Sequence, residues 1–425
     1  MKMLSKEGFG SQQELSSSGS LKRIEAFCRR IIFSKLNHIH RGYLEIIDDE
    51  GEHQFGSVES DGPHVRMHIQ QASAYRDVLL STDIGLGKAY MEGKWVVSDL
   101  TLLFQLFLQN EAALRGLESG LARLGQMVNQ QWHALRANTI KGSKKNISAH
   151  YDLGNDFYQL FLDETMMYSS AVFESPQSSL FDASTHKLDL ICQKLNLSSH
   201  DTVLEIGTGW GGFAIHAAKN YGCQVVTTTI SEAQYAWAIE RVAEAQLEDR
   251  ITVLQQDYRT LEGQYDKIVS IEMIEAVGHQ YLGLFFQTCQ HLLKENGAFL
   301  LQSITINEQR YEQAKNHTDF IQRYIFPGGD LPSVTAIMHA TTEHTDLRVQ
   351  HIEDFGRHYA LTLNHWRHRF LQALNDVRQQ GYPESFIRMW QFYLCYCEAG
   401  FLERATGCFQ FVFHKPMTRE EVPLR

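Results

Sequence analysis

From residue 186 to residue 304 the chain alternates short β-branched apolar runs with longer stretches whose apolar residues recur at helical spacing. DTVLEI, CQVVTTT, ITVLQQ, DKIVSI and GAFLLQSI each have the length and composition of a buried strand, while HKLDLICQKL and SEAQYAWAIERVAEAQ read as amphipathic helices. This alternation predicts an α/β fold with a parallel sheet covered by helices on both faces, in which ligands bind beyond the carboxyl ends of the strands. Residues 21–115 have a different rhythm: YLEIID, VRMHIQ and YRDVLLS, then GLGKAYMEGKWVVSDLTLLFQLFLQN. They predict a smaller N-terminal α+β domain closing in a helix. Residues 1–20 read as a flexible tail, and 116–145 as a helical linker ending in Lys141, Lys144 and Lys145. That basic end fits either a solvated helix or contact with anionic lipid headgroups. The main domain is expected over 146–418, with an insertion at about 305–400 where the α/β order breaks. Within and after it, helices are expected at 364–380 and 384–400, and FQFVFHK as a returning edge strand.

Composition narrows the class. A length of 425 residues exceeds what one core usually organises, so two domains are expected, and 43% hydrophobic with 21% charged residues is ordinary for a folded chain. A net charge of −11 argues against a protein that holds nucleic acid by neutralising phosphates. The N-terminus lacks the apolar core of a signal peptide, and no apolar run is long enough to span a bilayer. The expectation is a cytoplasmic chain, with membrane contact through a local patch still open. Seven scattered cysteines fit a reducing compartment, and the lone CxC of Cys395 and Cys397 lacks the second pair a zinc site needs, so no metal is expected.

The chemistry concentrates at strand ends. VLEIGTGWGGFAIHAAK places Glu205, Gly207, Thr208, Gly209, Trp210 and Gly211 across a strand-to-helix turn. Its G-x-G-x-G-G spacing is read as neither the dinucleotide fingerprint nor a phosphate-binding P-loop, whose lysine and Ser/Thr are missing. An acid before the first glycine suits a ligand bearing an ammonium group, such as the methionine end of S-adenosylmethionine. The second strand ends in TTTISEAQ without the acidic residue that usually takes ribose hydroxyls, so Gln234 is the candidate for that bond. Asp257 in QQDYRT can accept from an adenine amino group or cap a helix, and Tyr258 can stack on the ring. Glu272 and Glu275 follow the fourth strand, where buried carboxylates need partners or a task, and a base or polar anchor is favoured over a metal. His279 reads as a cap or packing residue. The aromatic C-terminal third is expected to be mostly core, with a subset lining an apolar tunnel.

Taken together, SAHYDLGNDFYQLFLDETMMYSSAVF, VLEIGTGWGGFAIHAA, SIEMIEAVGHQY, IQRYIFPGGDLPS and YLCYCEAGFLERA resemble the cyclopropane fatty acid synthase family over about 145–415. The resemblance implies a Rossmann-like fold with a seven-stranded, mostly parallel sheet. It also implies S-adenosylmethionine as cofactor and the alkene of a membrane phospholipid acyl chain as substrate. GLGKAYMEGKW is similar to the N-terminal domain of longer members, associated with lipid binding and dimerisation, which implies a homodimer at the inner face of the membrane. By motif position the cofactor contacts are Tyr151, Tyr168, Ser169, Gly207 to Gly211, Thr229, Ser231, Gln234, Asp257 and Tyr258. Ring-closing members hold bicarbonate as base, and its pocket maps to Ser170, Glu275, Gln302 and Tyr359, with Cys397 at a cysteine often named catalytic. Ser170 stands where the family has Cys, and Gln302 where it has His. Ring closure and open-chain methylation share every step up to a carbocation, so the departures leave the product open, with Glu275 or Glu272 as alternative proton acceptors. A small-molecule methyltransferase would not need the aromatic third. A non-catalytic lipid-binding protein would not need Glu205, the glycines, Glu275 and Tyr359.

Overall fold

The structure, a computed structural model, describes residues 10–114 and 153–423. The expected linker with its lysines, and Tyr151, lie outside these residues. The chain divides into two compact units, Met1–Val128 with Glu384–Phe392, and Asn129–Pro383 with Tyr393–Arg425. The stretch 384–392 therefore belongs with the first unit rather than with the main domain in which the sequence pattern had placed it.

In the first unit a helix already begins at Gly10 and runs to Leu36, so backbone order starts inside the segment read as a tail. Four strands, β1 (Tyr43–Asp48), β2 (Gly51–Gly56), β3 (His64–Ile69) and β4 (Trp95–Val97), form a sheet in the order β2-β1-β3-β4. Trp95 is fully buried, and Phe392 packs edge-on against Phe104 with centroids 4.8 Å apart.

The second unit holds β5 (Thr202–Ile206), β6 (Gln224–Thr229), β7 (Ile251–Gln255), β8 (Tyr265–Ile271), β9 (Leu293–Ile306), β10 (Arg348–Asp354) and β11 (Thr406–His414). They form one sheet in the order β10-β11-β9-β8-β5-β6-β7, parallel from β7 to β9 and antiparallel at β11 and β10. Neighbouring residues on a strand point to opposite faces, and the core shows it. Val203, Val225, Val269, Leu300 and Val412 join one apolar cluster, while Leu204, Ile268, Phe299, Leu301 and Phe411 join the other. FQFVFHK is not an edge strand: β11 lies between β9 and β10, and its last five residues are all buried. The edge is β10, RVQHIED, whose every other residue is exposed. Its mixed polarity hid it in the sequence, and that polarity is what a solvated edge requires. The helix expected at 364–380 is instead Gly356–Gln372 followed by Leu374–Gln379, and the last long helix is Glu384–Leu402.

Chain direction across the sheet reverses between β5 and β8. From β5 the chain builds outward through β6 to β7, then returns to β8 and β9 on the other side. Such a switch point opens a crevice at the carboxyl ends of the central strands. Both acidic motifs end there.

Candidate active site

β5 ends in Glu205-Ile206, and the turn that follows has positive φ at Gly207 (+102°), Gly209 (+51°) and Gly211 (+85°) before the helix Gly212–Tyr221 begins. Side chains rarely adopt this backbone, which explains the residue type. Among the described residues a Cβ on Gly209 would meet nothing within 4 Å, so the turn offers a cradle for close backbone approach. Glu205 is 2% exposed, and its Oε2 accepts from Thr227 Oγ1 at 2.6 Å, the latter lying 2.7 Å from Thr208 Oγ1. Burial pushes this carboxyl up to about 8, against the pull of Thr227 and the charge of Lys187. Trp210 is buried and donates Nε1–H to Asn155 Oδ1 at 2.7 Å. Along the next strand end, Thr229 Oγ1 donates to Gln234 Oε1 at 3.0 Å, and Ser231 caps the helix Glu232–Glu244.

The fourth-strand carboxylates do different things. Glu272, directly after β8, has φ +51°, a left-handed conformation that costs a non-glycine residue about 1–2 kcal/mol. Its Oε1 accepts from Ser170 N at 2.9 Å and Gln302 Nε2 at 2.7 Å, and its Oε2 from Tyr359 Oη at 2.7 Å. Cys408 Sγ lies 3.7 Å from Oε1. Burial pushes the Glu272 carboxyl up, while these donors and the Lys187 charge hold it down. Glu275 Oε1 accepts from Ile304 N at 2.6 Å and Ser303 Oγ at 3.2 Å, and its Oε2 is buried without a hydrogen-bond partner among the described residues. Burial first and the Glu272 charge second push Glu275 up to about 8. The two carboxyls differ in their partners: burial raises both, but Glu272 has three hydrogen-bond donors and the Lys187 charge to favour its ionised form, whereas Glu275 has fewer donors and the Glu272 charge against it.

Aromatic rings wall this carboxylate. Tyr359 stacks on Phe401 at 4.5 Å and meets Trp366 edge-on at 6.1 Å, while Tyr168 lies 5.1 Å from Trp366 and shares a 2.7 Å hydroxyl contact with Tyr393.

Residues 138–411, well over half of the chain, match the family model for mycolic acid cyclopropane synthetase. The chain belongs to this family. It is 36% identical to the tuberculostearic acid methyltransferase UfaA1 of Mycobacterium tuberculosis over 81% of this chain and 82% of that protein. It is 35% identical to the cyclopropane-fatty-acyl-phospholipid synthase of Escherichia coli K12, over 85% and 89%. Among solved structures, mycolic acid cyclopropane synthase CmaA1 with SAH and CTAB superimposes with a TM-score of 0.60 at 30% identity, covering 64% of this chain and 98% of that one. The cyclopropane synthetase family fold and the lipid-modifying, S-adenosylmethionine-dependent methyltransferase class follow from these matches together.

The cofactor cradle fits that class: a glycine turn beside a buried carboxyl that accepts from the Thr227 hydroxyl suits a cationic amino acid end. Of the remaining cofactor candidates, Ser169 is buried and its Oγ accepts from Lys187 Nζ at 2.9 Å. Asp257 behaves as a cap for Tyr258–Thr260 and is gripped by Arg259 through Nε at 2.8 Å and Nη2 at 2.6 Å. A carboxylate accepts about four hydrogen bonds, so the cap reading and an adenine contact are compatible. Tyr258 packs edge-on to Phe285 at 5.6 Å. His279 pairs with Asp330 at 2.6 Å, and Asp330 N donates to the Glu275 carbonyl at 2.8 Å, which ties the insertion to the acidic turn.

For this family member the structure gathers Ser170, Gln302 and Tyr359 as the resemblance implies, but around Glu272 instead of Glu275. The donors assigned to bicarbonate are engaged by the chain's own carboxylate, so these residues do not fit a bound bicarbonate. Among the described residues Cys397 makes no hydrogen bond to Glu272, Ser170, Gln302 or Tyr359, and burial raises its thiol well above the ordinary range, which disfavours a thiolate at neutral pH. Cys397→Ala is therefore expected to retain activity within about twofold of the parent chain; a loss of tenfold or more in a methyl-transfer assay would restore the residue to the chemistry. Two residues escaped sequence reasoning. Cys408 looked like one more core position of β11. Lys187 sits in HKLDLICQKL at helical spacing with buried Ala183, Ser184 and Ile191, and a cation on that buried face was the available signal. Its burial lowers the ammonium to about 8, opposed first by the charge of Glu272.

Proposed function

We propose that this methyltransferase adds a methyl group to the double bond of an unsaturated phospholipid acyl chain and releases an open-chain, branched unsaturated product, with Glu272 as proton acceptor. The observation that carries the reading is the Glu272 carboxylate held by Ser170, Gln302 and Tyr359. The names of the two relatives support a fatty acyl substrate, one a methyltransferase and one a ring-forming synthase. S-adenosylmethionine, when bound, supplies an electrophilic methyl group on a positively charged sulfur.

The chain's residues do the rest. Glu205 and the turn Gly207–Gly211 would hold the amino acid end of the cofactor, and Thr229, Ser231, Gln234, Asp257 and Tyr258 would hold the nucleoside. With the cofactor bound, the alkene π pair would form the new C–C bond to that methyl group, the S–C pair would stay with sulfur, and a cation would be left on the adjacent chain carbon. The electron-rich rings of Tyr359, Trp366 and Phe401, all three buried, would stabilise that cation. Glu272 then takes a proton from a carbon beside the cation, and the C–H pair restores a double bond. Gln302 and Tyr359 hold the acceptor in place. Protonated Glu275 cannot compete for this proton.

Mass spectrometry of phospholipid acyl chains from a host lacking its own synthase tests the reading. The expected product is one CH2 heavier and still takes up hydrogen at an alkene; a heavier product that resists hydrogenation as a ring, or no heavier acyl chain at all, contradicts it.

A further inference from the structure

Gln302 and Gln410 are direct cross-strand partners on β9 and β11, and both are buried, at 0% and 1% exposure. Two primary amides in the middle of an apolar sheet need every partner they can make. Gln302 Nε2 donates to Glu272 Oε1 at 2.7 Å, Gln410 Nε2 donates to Gln302 Oε1 at 3.0 Å, and Lys194 Nζ donates to Gln410 Oε1 at 2.6 Å. Lys194 itself is 6% exposed and pairs with Glu353 on the edge strand β10, which His351 approaches at 3.5 Å.

The direction of this row is not free. An ammonium has donors only, so Gln410 must turn its oxygen to Lys194 and its NH2 to Gln302. Gln302 must then receive on its oxygen, which leaves its NH2 for Glu272. Reversing either amide would set two donors or two acceptors face to face.

We infer that Lys194 and Gln410 are positioning residues for the reaction: they fix the Gln302 amide so that it presents a donor to the proton-accepting carboxylate of Glu272. Amides pass no net proton, so the row is an orienting device and not an exit path. The inference rests on the role of Glu272 proposed above. It also gives a physical reason for glutamine at 302, because an amide transmits the polarity of a distant ammonium in a single sense.

The test is the pH dependence of methyl transfer by full-length Lys194→Met, Lys194→Arg, Gln410→Met and Gln410→Glu, beside Glu272→Gln. The groups facing Glu272 from the other elements, Lys187, Glu275, Tyr359, Tyr393 and Cys408, are unchanged in the Lys194 and Gln410 variants. Losing an oriented donor disfavours the ionised carboxylate, so its pKa rises and the acid limb of the rate profile moves to higher pH. Lys194→Met and Gln410→Met are expected to lower kcat about five- to tenfold with that shift and with cofactor affinity unchanged, while Lys194→Arg keeps both. Gln410→Glu preserves size and the Lys194 pair but sets an acceptor against Gln302 Oε1. It forces that amide to turn over and is expected to cost more than Gln410→Met. Parent-like kcat and pH profiles in Gln410→Met and Gln410→Glu, with Glu272→Gln inactive, would overturn the orienting row alone. Parent-like activity in Glu272→Gln would instead remove the proton acceptor on which it depends.

Discussion

Glu272→Gln lowers product formation by about 10²–10⁴-fold, the range over which a positioned general base acts, while S-adenosylmethionine affinity stays within about twofold. The amide can still be held by Ser170, Gln302 and Tyr359 in part, so the fold and the cofactor cradle, built on β5 and β6, have no reason to change. What disappears is the negative charge that accepts the proton. Glu275→Gln has a smaller effect, because Glu275 already carries a proton near neutral pH and an amide imitates that neutral form. Single-turnover product yield beside calorimetric cofactor binding measures both quantities. Equal losses in the two variants would mean that the carboxyls act as a coupled pair without division of labour.

Glu205→Gln weakens S-adenosylmethionine binding about ten- to hundredfold, since a buried charge-assisted contact contributes on the order of 1.5–3 kcal/mol. Its pH signature is more telling. In the free protein burial raises this carboxyl to about 8, so it is mostly protonated below that value. A cationic ligand requires the ionised form, and binding below pH 8 therefore releases a proton. Affinity of the parent chain should rise with pH and level off above about 8, whereas Glu205→Gln should bind weakly with no such rise. Calorimetry in buffers of different ionisation enthalpy detects the released proton. A parent affinity independent of pH between 6 and about 9 would show that the carboxyl does not face the ammonium.

The strand-turn-helix rhythm and the glycine turn were readable in the sequence because both depend on local constraints: buried parallel strands must be apolar, and positive φ selects glycine. The glutamate ahead of the turn stands out because it breaks the apolar run of its strand. Other features depend on which distant segments meet. RVQHIED conceals an edge strand because one exposed side dilutes its apolar signal, and FQFVFHK could be assigned its inner position only once that edge was found. Motif order brought Ser170, Gln302 and Tyr359 together correctly, yet it attached them to Glu275, since motif position carries no φ angle. Glu272, three residues earlier and with a left-handed backbone, is the carboxyl that reaches them. Lys187 and Cys408 were missed because a lysine in a helix and a cysteine in a strand look ordinary until the surrounding charges are placed.

Glycine is the residue that the backbone at 272 accepts without strain, with φ +51°, and Glu272→Gly would leave the Ser170, Gln302 and Tyr359 donors facing an empty space of carboxylate size. The decisive measurement is product formation by the parent chain and by Glu272→Gly in carbon-dioxide-free buffer, with and without added bicarbonate. A built-in acceptor predicts that the parent is fully active without bicarbonate, and that the glycine variant is inactive alone and partly restored by the added anion. A parent chain that loses its activity when bicarbonate is removed, or a glycine variant as active as the parent without it, would contradict Glu272 as the proton acceptor.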